Sequence, residues 1–197
     1  MSKRLFDWIL SSLGLLVLGP VLILVALAIK LDSPGPVFFR QERVGRWGHP
    51  FWIHKFRTMR HDPVGRGLQI TVGQDARITR VGGFLRASKI DELPQLIDVW
   101  VGTMSLVGPR PEVPRYVAVY PPELRDKILS VRPGITDIAS IEYRDESAVL
   151  ARAADPEQAY LHEVLPHKLA LSARYVDQAS VWTDLQLILR TLRAIVR

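Results

Sequence analysis

Asp91 and Glu92 stand side by side in Arg86-Ala-Ser-Lys-Ile-Asp91-Glu92-Leu-Pro94-Gln95, and two adjacent carboxylates can divide two tasks between them. An ionised Asp91 is able to attack phosphorus, since carboxylates form aspartyl-phosphate-type intermediates. Glu92 is able to hold a divalent cation, because Mg2+ is commonly bound by one or two carboxylates together with substrate phosphates. The bland alternative is a helix cap. Ser88-x-x-Asp91 fits a helix-start signature and Pro94 suits a first turn, so either Ser88 or Asp91 begins a helix here. Both versions put the carboxylates at a helix N-terminus, where free N–H groups favour negative charge and an anionic substrate.

Phosphate chemistry also needs positive charge placed in advance, because its catalysis is mostly positioning and electrostatics. In Phe51–Thr58 a period of two sets Phe51, Ile53, Lys55 and Arg57 on one face and Trp52, His54 and Phe56 on the other, so Lys55 and Arg57 project together. Arg110 is held between Pro109 and Pro111, and Arg132 precedes Pro133-Gly134. A single arginine on a turn is ordinarily solvated and idle; several on stiff turns form a candidate phosphate-binding set.

The elements that position these groups begin with an apolar segment. Trp8 to Ile29 is an uncharged run of 22 residues, and a straight helix of that length reaches about 33 Å, enough to cross a hydrocarbon core of about 30 Å. Two features argue instead for a hairpin. Gly19-Pro20 falls in the middle, where proline removes a backbone bond and kinks a helix. Lys3 and Arg4 before the run, and Lys30, Arg40 and Arg43 after it, ask both ends to stay on the cytoplasmic side. A cleavable signal peptide is a third reading, with Ala26-Leu27-Ala28 resembling a cleavage site.

Beyond it, Val37–Gln41 and Phe51–Thr58 read as the strands of a long-looped hairpin, and residues 62–75 as a loop. Phe84–Val101 reads as helical, interrupted or begun near Pro94, and Gly108-Pro-Arg-Pro111 and Arg132-Pro-Gly-Ile-Thr136 as turns. Val113–Tyr120, Pro122–Leu129, Tyr160–Tyr175 and Thr183–Val196 are expected helices. In the last, Leu185, Ile188, Leu189, Leu192 and Val196 form an apolar side opposite Arg190, Arg193 and Arg197; it either caps the core or lies in a membrane interface.

The 197 residues suffice for one ordinary domain plus a membrane element, and the absence of cysteine excludes disulfides, thiolate nucleophiles and cysteine metal sites. The net charge of +6 favours acidic partners. Beside a membrane segment, these are lipid headgroups and a phosphorylated substrate; no nucleic-acid fold or aromatic stacking motif is present. The expected fold is α+β: mainly helical around a small β-hairpin or sheet, with an N-terminal re-entrant helix-break-helix hairpin over 1–32, a catalytic domain over 33–197 and interfacial amphipathic helices.

In order along the chain, Lys3-Arg4-Leu-Phe-Asp7, the apolar segment broken at Pro20, Ser33-Pro-Gly-Pro36, Gln41-Glu-Arg-Val-Gly45, Lys55-Phe-Arg-Thr-Met59, the Asp91-Glu92 motif, Ser105-Leu-Val-Gly-Pro-Arg-Pro111, Arg132-Pro-Gly-Ile-Thr136 and the Tyr175-Val, Trp182 and Asp184-Leu pattern resemble the small monotopic polyprenyl-phosphate phosphoglycosyl transferases, the bacterial sugar transferase family. The resemblance covers nearly the whole chain and corresponds to the core that larger relatives carry behind extra transmembrane helices and another domain. It implies transfer of a sugar-1-phosphate from a UDP-sugar to polyprenol (undecaprenyl) phosphate, with UMP released, as the first step of glycoconjugate or exopolysaccharide synthesis. By similarity Asp91 is the nucleophile that captures the phosphosugar, and Glu92 binds Mg2+. Lys55, Arg57, Arg86, Arg110 and Arg132 are then expected near substrate phosphates, and Thr136, Asp137 and Arg144 near the sugar or uridine. The resemblance also implies a hairpin on the cytoplasmic face of the bacterial inner membrane that does not cross it.

Two positions depart from the common pattern: Asp137 stands where many relatives have glycine, and Ser172 where many carry an acidic residue, with Asp137 or Asp145 a candidate to supply that carboxylate from elsewhere. Two other functions fit the same residues: a membrane-anchored phosphohydrolase, in which water resolves the intermediate, and a non-catalytic basic scaffold on anionic membrane.

Overall fold

The computed structural model describes residues 2–60 and 75–196; the loop read over 62–75 lies, but for its last residue, outside the described residues. The order is α1 (Lys3–Asp32), β1 (Phe38–Val44), β2 (Pro50–Phe56), α2 (Arg80–Ala87), α3 (Gln95–Val101), β3 (Ser105–Val107), α4 (Pro114–Val117), α5 (Pro122–Leu129), β4 (Gly134–Thr136), α6 (Ile138–Glu142), α7 (Glu146–Leu150), α8 (Pro156–Ala159), α9 (Leu165–Gln178) and α10 (Val181–Val196). The chain is mainly helical with a small β-hairpin, as the patterning predicts, and it also has a second two-stranded sheet that the patterning does not predict.

Helix α1 opens on Ser2, whose hydroxyl accepts the Leu5 amide, one of the donors that the first turn leaves orphaned. The sequence leads one to expect a break at Gly19-Pro20; the structure instead keeps α1 helical through all 30 residues, with Pro20 inside it. Proline deletes one bond of the ladder and bends a helix, and the turns on either side suffice to continue it. Buried Phe6, Asp7, Ser11 and Ile29 lie on the side facing the domain, whereas Leu16 and Leu31 are 77% and 89% exposed on the other.

Both ends of α1 are tied to the same domain. At the start, Arg4 donates to the carbonyls of Val99 (2.6 Å) and Trp100 (2.8 Å) at the end of α3. Lys3 donates to the Val107 carbonyl at 3.0 Å and pairs with buried Asp184 on α10, and Asp7 accepts the Leu106 amide at 3.1 Å. At the far end, Asp32 accepts the Val81 amide of α2 at 3.1 Å, and Arg57 binds the carbonyls of Pro36 (2.6 Å) and Ser33 (2.8 Å) and the Ser33 hydroxyl (2.7 Å).

Strands β1 and β2 pair antiparallel from Phe38↔Phe56 to Val44↔Pro50, so β1 runs three residues past the expected Gln41. Along β2, Phe51 and Ile53 enter one core cluster and Trp52 faces out, whereas Phe56, expected on the face of Trp52, is buried in a second cluster with Ile29 and Leu85. Neither Ser88 nor Asp91 begins a helix, and Ser88 reverses the role expected of it. It follows α2 as a C-terminal cap, its hydroxyl donating to the Phe84 carbonyl at 2.8 Å, and α3 begins only at Gln95 after Pro94. Between them Ile90–Glu92 form a single 3₁₀ turn.

The two Pro/Gly motifs expected as turns carry, besides, a parallel pair, β3 with β4, in the register Ser105↔Gly134 and Val107↔Thr136. The backbones approach so closely that a Cβ on Gly134 would lie 2.1 Å from the Gly108 amide nitrogen; only glycine admits that contact. The expected helix Val113–Tyr120 shortens to α4, and the polar stretch before Pro156 folds into α6 and α7. The largest core cluster joins Tyr116, Val117, Tyr120 and Ile128 to Tyr160, Val164, Leu165 and Leu169.

Helix α10 buries Asp184 and Leu187 and exposes Trp182, Leu185, Leu189 and Leu192. Its two apolar faces separate the two expectations: one face caps the core, and a second row of leucines remains uncovered.

Candidate functional site

The 3₁₀ turn delivers Asp91 and Glu92 to the floor of a cavity of about 860 Å³. Asp91 is 2% exposed. Lys55, the last but one residue of β2, sets its ammonium 3.0 Å from Asp91 Oδ2 and 3.0 Å from Glu92 Oε1, bridging the two carboxylates. Arg110 reaches Glu92 with both terminal nitrogens, Nη2 to Oε1 at 2.6 Å and Nη1 to Oε2 at 3.2 Å. Burial pushes the Glu92 carboxyl up, but the Arg110 and Lys55 charges and hydrogen bonds outweigh it and hold the group well below its ordinary range. Glu92 in turn raises the Arg110 guanidinium. The remaining oxygen, Asp91 Oδ1, is buried without a hydrogen-bond donor. One Asp91 oxygen is thus held by Lys55 and its twin is left without a partner, an arrangement suited to a nucleophile.

The expected phosphate-binding residues separate. Lys55, Arg86 and Arg110 line the cavity; Arg86 also donates to the Thr58 hydroxyl at 2.8 Å. Arg57 and Arg132 do not line it. Arg57 follows the last residue of β2 and turns to the carbonyls at the end of α1, while Arg132 donates to the Gly102 carbonyl at 2.8 Å. Of the residues expected near sugar or uridine, Thr136 and Arg144 line the cavity, and the Thr136 hydroxyl meets that of Thr191 at 2.7 Å. Asp137 is buried and structural: it caps α6 by accepting the Ser140 amide at 2.6 Å and also accepts the Arg110 amide at 3.3 Å, helping to orient that arginine.

Several lining residues escaped the sequence reading. Glu112, directly after Pro-Arg-Pro, accepts from the Tyr160 hydroxyl at 2.7 Å and from Lys168 at 3.1 Å, and Lys168 also binds Glu146 at 3.0 Å. Burial drives the Lys168 ammonium down, and Glu112 and Glu146 more than reverse that. The carboxylates beside α9 therefore come from Glu112 and Glu146, neither of which is among the two aspartates considered as substitutes. Lys89 lines the cavity as well. Its signal was present in the motif itself, three residues before Glu92.

Part of the lining is apolar. Leu10 of α1, Leu96 of α3 and Ile188 and Leu192 of α10 face the same cavity as the charged floor. A polar reaction centre thus opens beside helices whose outer faces are uncovered and hydrophobic.

The family model for bacterial sugar transferases matches residues 1–197. The chain belongs to the bacterial sugar transferase family. Among its relatives, a UDP-glucose:undecaprenyl-phosphate glucose-1-phosphate transferase of Caulobacter vibrioides is 37% identical over 208 residues, covering 100% of this chain and 70% of the relative. An Escherichia coli protein of the same name is 38% identical over 193 residues, covering 96% of this chain and 39% of the relative. A UDP-N-acetylgalactosamine-undecaprenyl-phosphate N-acetylgalactosaminephosphotransferase of Aeromonas hydrophila is 35% identical over 196 residues, covering 98% of this chain and 43% of the relative. The chain therefore spans about two fifths of the length of the last two, and family members of similar identity are named for different sugars.

Proposed function

We propose that this sugar transferase moves a sugar-1-phosphate from a UDP-sugar to polyprenol phosphate by two displacements at one phosphorus. The observation that carries the proposal is Asp91: buried on the cavity floor, with Oδ2 clamped by Lys55 and Oδ1 unpartnered. In the first step Asp91 Oδ1 attacks the phosphorus that carries the sugar, the bond to the bridging oxygen breaks, and UMP leaves with that oxygen. In the second, an oxygen of the lipid phosphate attacks the same phosphorus, the bond to Asp91 breaks, and the carboxylate is restored. Lys55 keeps Oδ2 turned away from the reacting centre. Lys55 and Arg110 together place positive charge where the equatorial phosphate oxygens gather charge.

Among the described residues no three acidic or histidine side chains cluster to hold a metal unaided. Glu92, beside Asp91, fits Mg2+ in the mode where substrate phosphates and water complete the shell. Glu92, whose carboxyl is held well below its ordinary range, is the group that would hold it, which leaves Asp91 Oδ1 to attack. When bound, the ion supplies charge neutralisation to the phosphate oxygens.

The apolar part of the lining favours a lipid acceptor over water, and so the transferase over the phosphohydrolase. We also place α1 on one face of the membrane without crossing it: the polar ties at its first and last turns bind the same charged domain, while its outer side is apolar. The exposed leucines of α10 extend this surface as an interfacial helix. The cytoplasmic face follows from the basic residues flanking α1, and tags at either terminus should both be reachable only from the cytoplasm. The product would be the lipid-linked first sugar of a glycoconjugate or exopolysaccharide.

The deciding assay is UMP release from a panel of UDP-sugars with Mg2+ and polyprenol phosphate, with Asp91→Asn as control. Sustained release over many turnovers that requires both lipid and Asp91 supports the transferase and identifies the donor. Equal release without lipid, accompanied by free sugar phosphate, would instead establish the phosphohydrolase.

A further inference from the structure

Lys89 has the left-handed backbone conformation, φ 58° and ψ 14°, immediately before the turn that carries Asp91 and Glu92. Few residues with a Cβ are found there, and such outliers gather at functional sites. The conformation is held by its own hydrogen bonds: the Lys89 amide donates to the Arg86 carbonyl, and its carbonyl accepts the Glu92 amide, both at 3.2 Å. The side chain lines the cavity, where its ammonium lies 3.4 Å from the Arg144 carbonyl.

Charge pairing separates Lys89 from its neighbours. Lys55 and Arg110 pair with Asp91 and Glu92, Lys168 pairs with Glu112 and Glu146, and Arg43 lies 3.8 Å from Glu112. Among the described residues, neither Lys89 nor Arg144, which also lines the cavity, has a carboxylate within ion-pair distance. The Lys89 side chain is half-buried where it lines the cavity. A partly desolvated cation with only a long bond to a carbonyl gains most from an incoming anion.

The stereochemistry of the reaction says which anion. In an in-line displacement Asp91 and the departing UMP phosphate occupy opposite apical positions on phosphorus. In the return step the lipid phosphate must approach opposite Asp91, which is the position UMP has vacated. We propose that Lys89, assisted by Arg144, forms one phosphomonoester subsite that holds the UMP phosphate as it departs and the lipid phosphate as it attacks. This inference rests on the two-displacement reading of Asp91.

The test uses the full chain in lipid, with Lys89→Gly and Lys89→Arg beside Asp91→Asn. Glycine removes the ammonium and relieves the left-handed backbone, so the melting temperature should stay level or rise; Lys89→Gln replaces it if glycine loosens the turn. Inhibition by added UMP and the KM for polyprenol phosphate should both weaken by about tenfold or more, the scale of one hydrogen bond to a charged group, and Lys89→Arg should recover most of each. A shift in only one of the two, or in neither, overturns the shared subsite. If Lys89 variants behave as wild type while Asp91→Asn is dead, this inference alone fails; if Asp91→Asn turns over normally, the reading beneath it fails.

Discussion

Arg110 grips both oxygens of Glu92 through bonds of 2.6 and 3.2 Å, while Lys55 holds the same carboxylate at Oε1, 3.0 Å away. Two cations on one buried acid fix its charge and its direction together, which is what a group beside a reacting phosphate needs. The sign of its pH dependence follows. The folded-state pKa of Glu92 lies well below that of the unfolded chain, so its stabilising contribution is complete above about pH 4.3 and is lost as the pH falls through the folded value. Unfolding of wild type and Glu92→Gln should therefore differ most near neutrality and converge under acid. A difference that instead grows below pH 4 would contradict this account of the pair.

Arg57 anchors α1 and does not reach the cavity. Arg57→Ala should lower stability by about 2–3 kcal/mol, the scale of hydrogen bonds to a charged group together with the carbonyls left unpaired, and leave the KM for the nucleotide sugar nearly unchanged. Kinetics in detergent or lipid, set beside a melting curve, separate the two effects. A large rise in KM at unchanged stability would return Arg57 to the phosphate site.

Lys168 is buried between Glu112 and Glu146. Lys168→Met leaves Glu112 with a buried charge and one cation fewer, and breaking such a pair costs about 3–5 kcal/mol. Lys168→Met combined with Glu112→Gln should recover a measurable part of that loss in a double-mutant cycle by thermal unfolding. Strict additivity of the two substitutions would show that the pair is not coupled.

Gly134→Ala should prevent the β3–β4 pairing, because the new methyl would meet Gly108 backbone at 2.1 Å with no flexible side chain to yield. Little folded protein is expected on expression. Recovery of a soluble or membrane-bound chain with normal melting would show that the two loops have room the structure does not give them.

Legibility in the sequence followed the range of the interactions. The period of two along Phe51–Thr58 placed Lys55 toward the site, and the prolines around Arg110 marked a stiff cation, because both are local properties. The same alternation misplaced Arg57, since the strand ends one residue earlier and the free carbonyls of α1 decide its direction. Arg132 was lost for a like reason, drawn to the Gly102 carbonyl 30 residues away. Ser88 fits either end of a helix by composition; the left-handed Lys89 after it is what ends α2. Glu112 and Lys168 meet across 56 residues, and nothing in the local sequence of either names the other. Period and composition outlined α10, but which of its apolar rows faces inward depends on Asp184 meeting Lys3 and Tyr175.

The most direct test of the central claim is a single-turnover experiment with a UDP-sugar labelled in the phosphate next to the sugar, Mg2+ present and polyprenol phosphate withheld. Attack by Asp91 predicts a burst of at most one UMP per chain, with label retained on the denatured protein at Asp91 and absent from Asp91→Asn. Steady turnover with lipid but neither burst nor bound label without it would mean that the lipid phosphate attacks the nucleotide sugar directly, and the two-displacement account would be wrong.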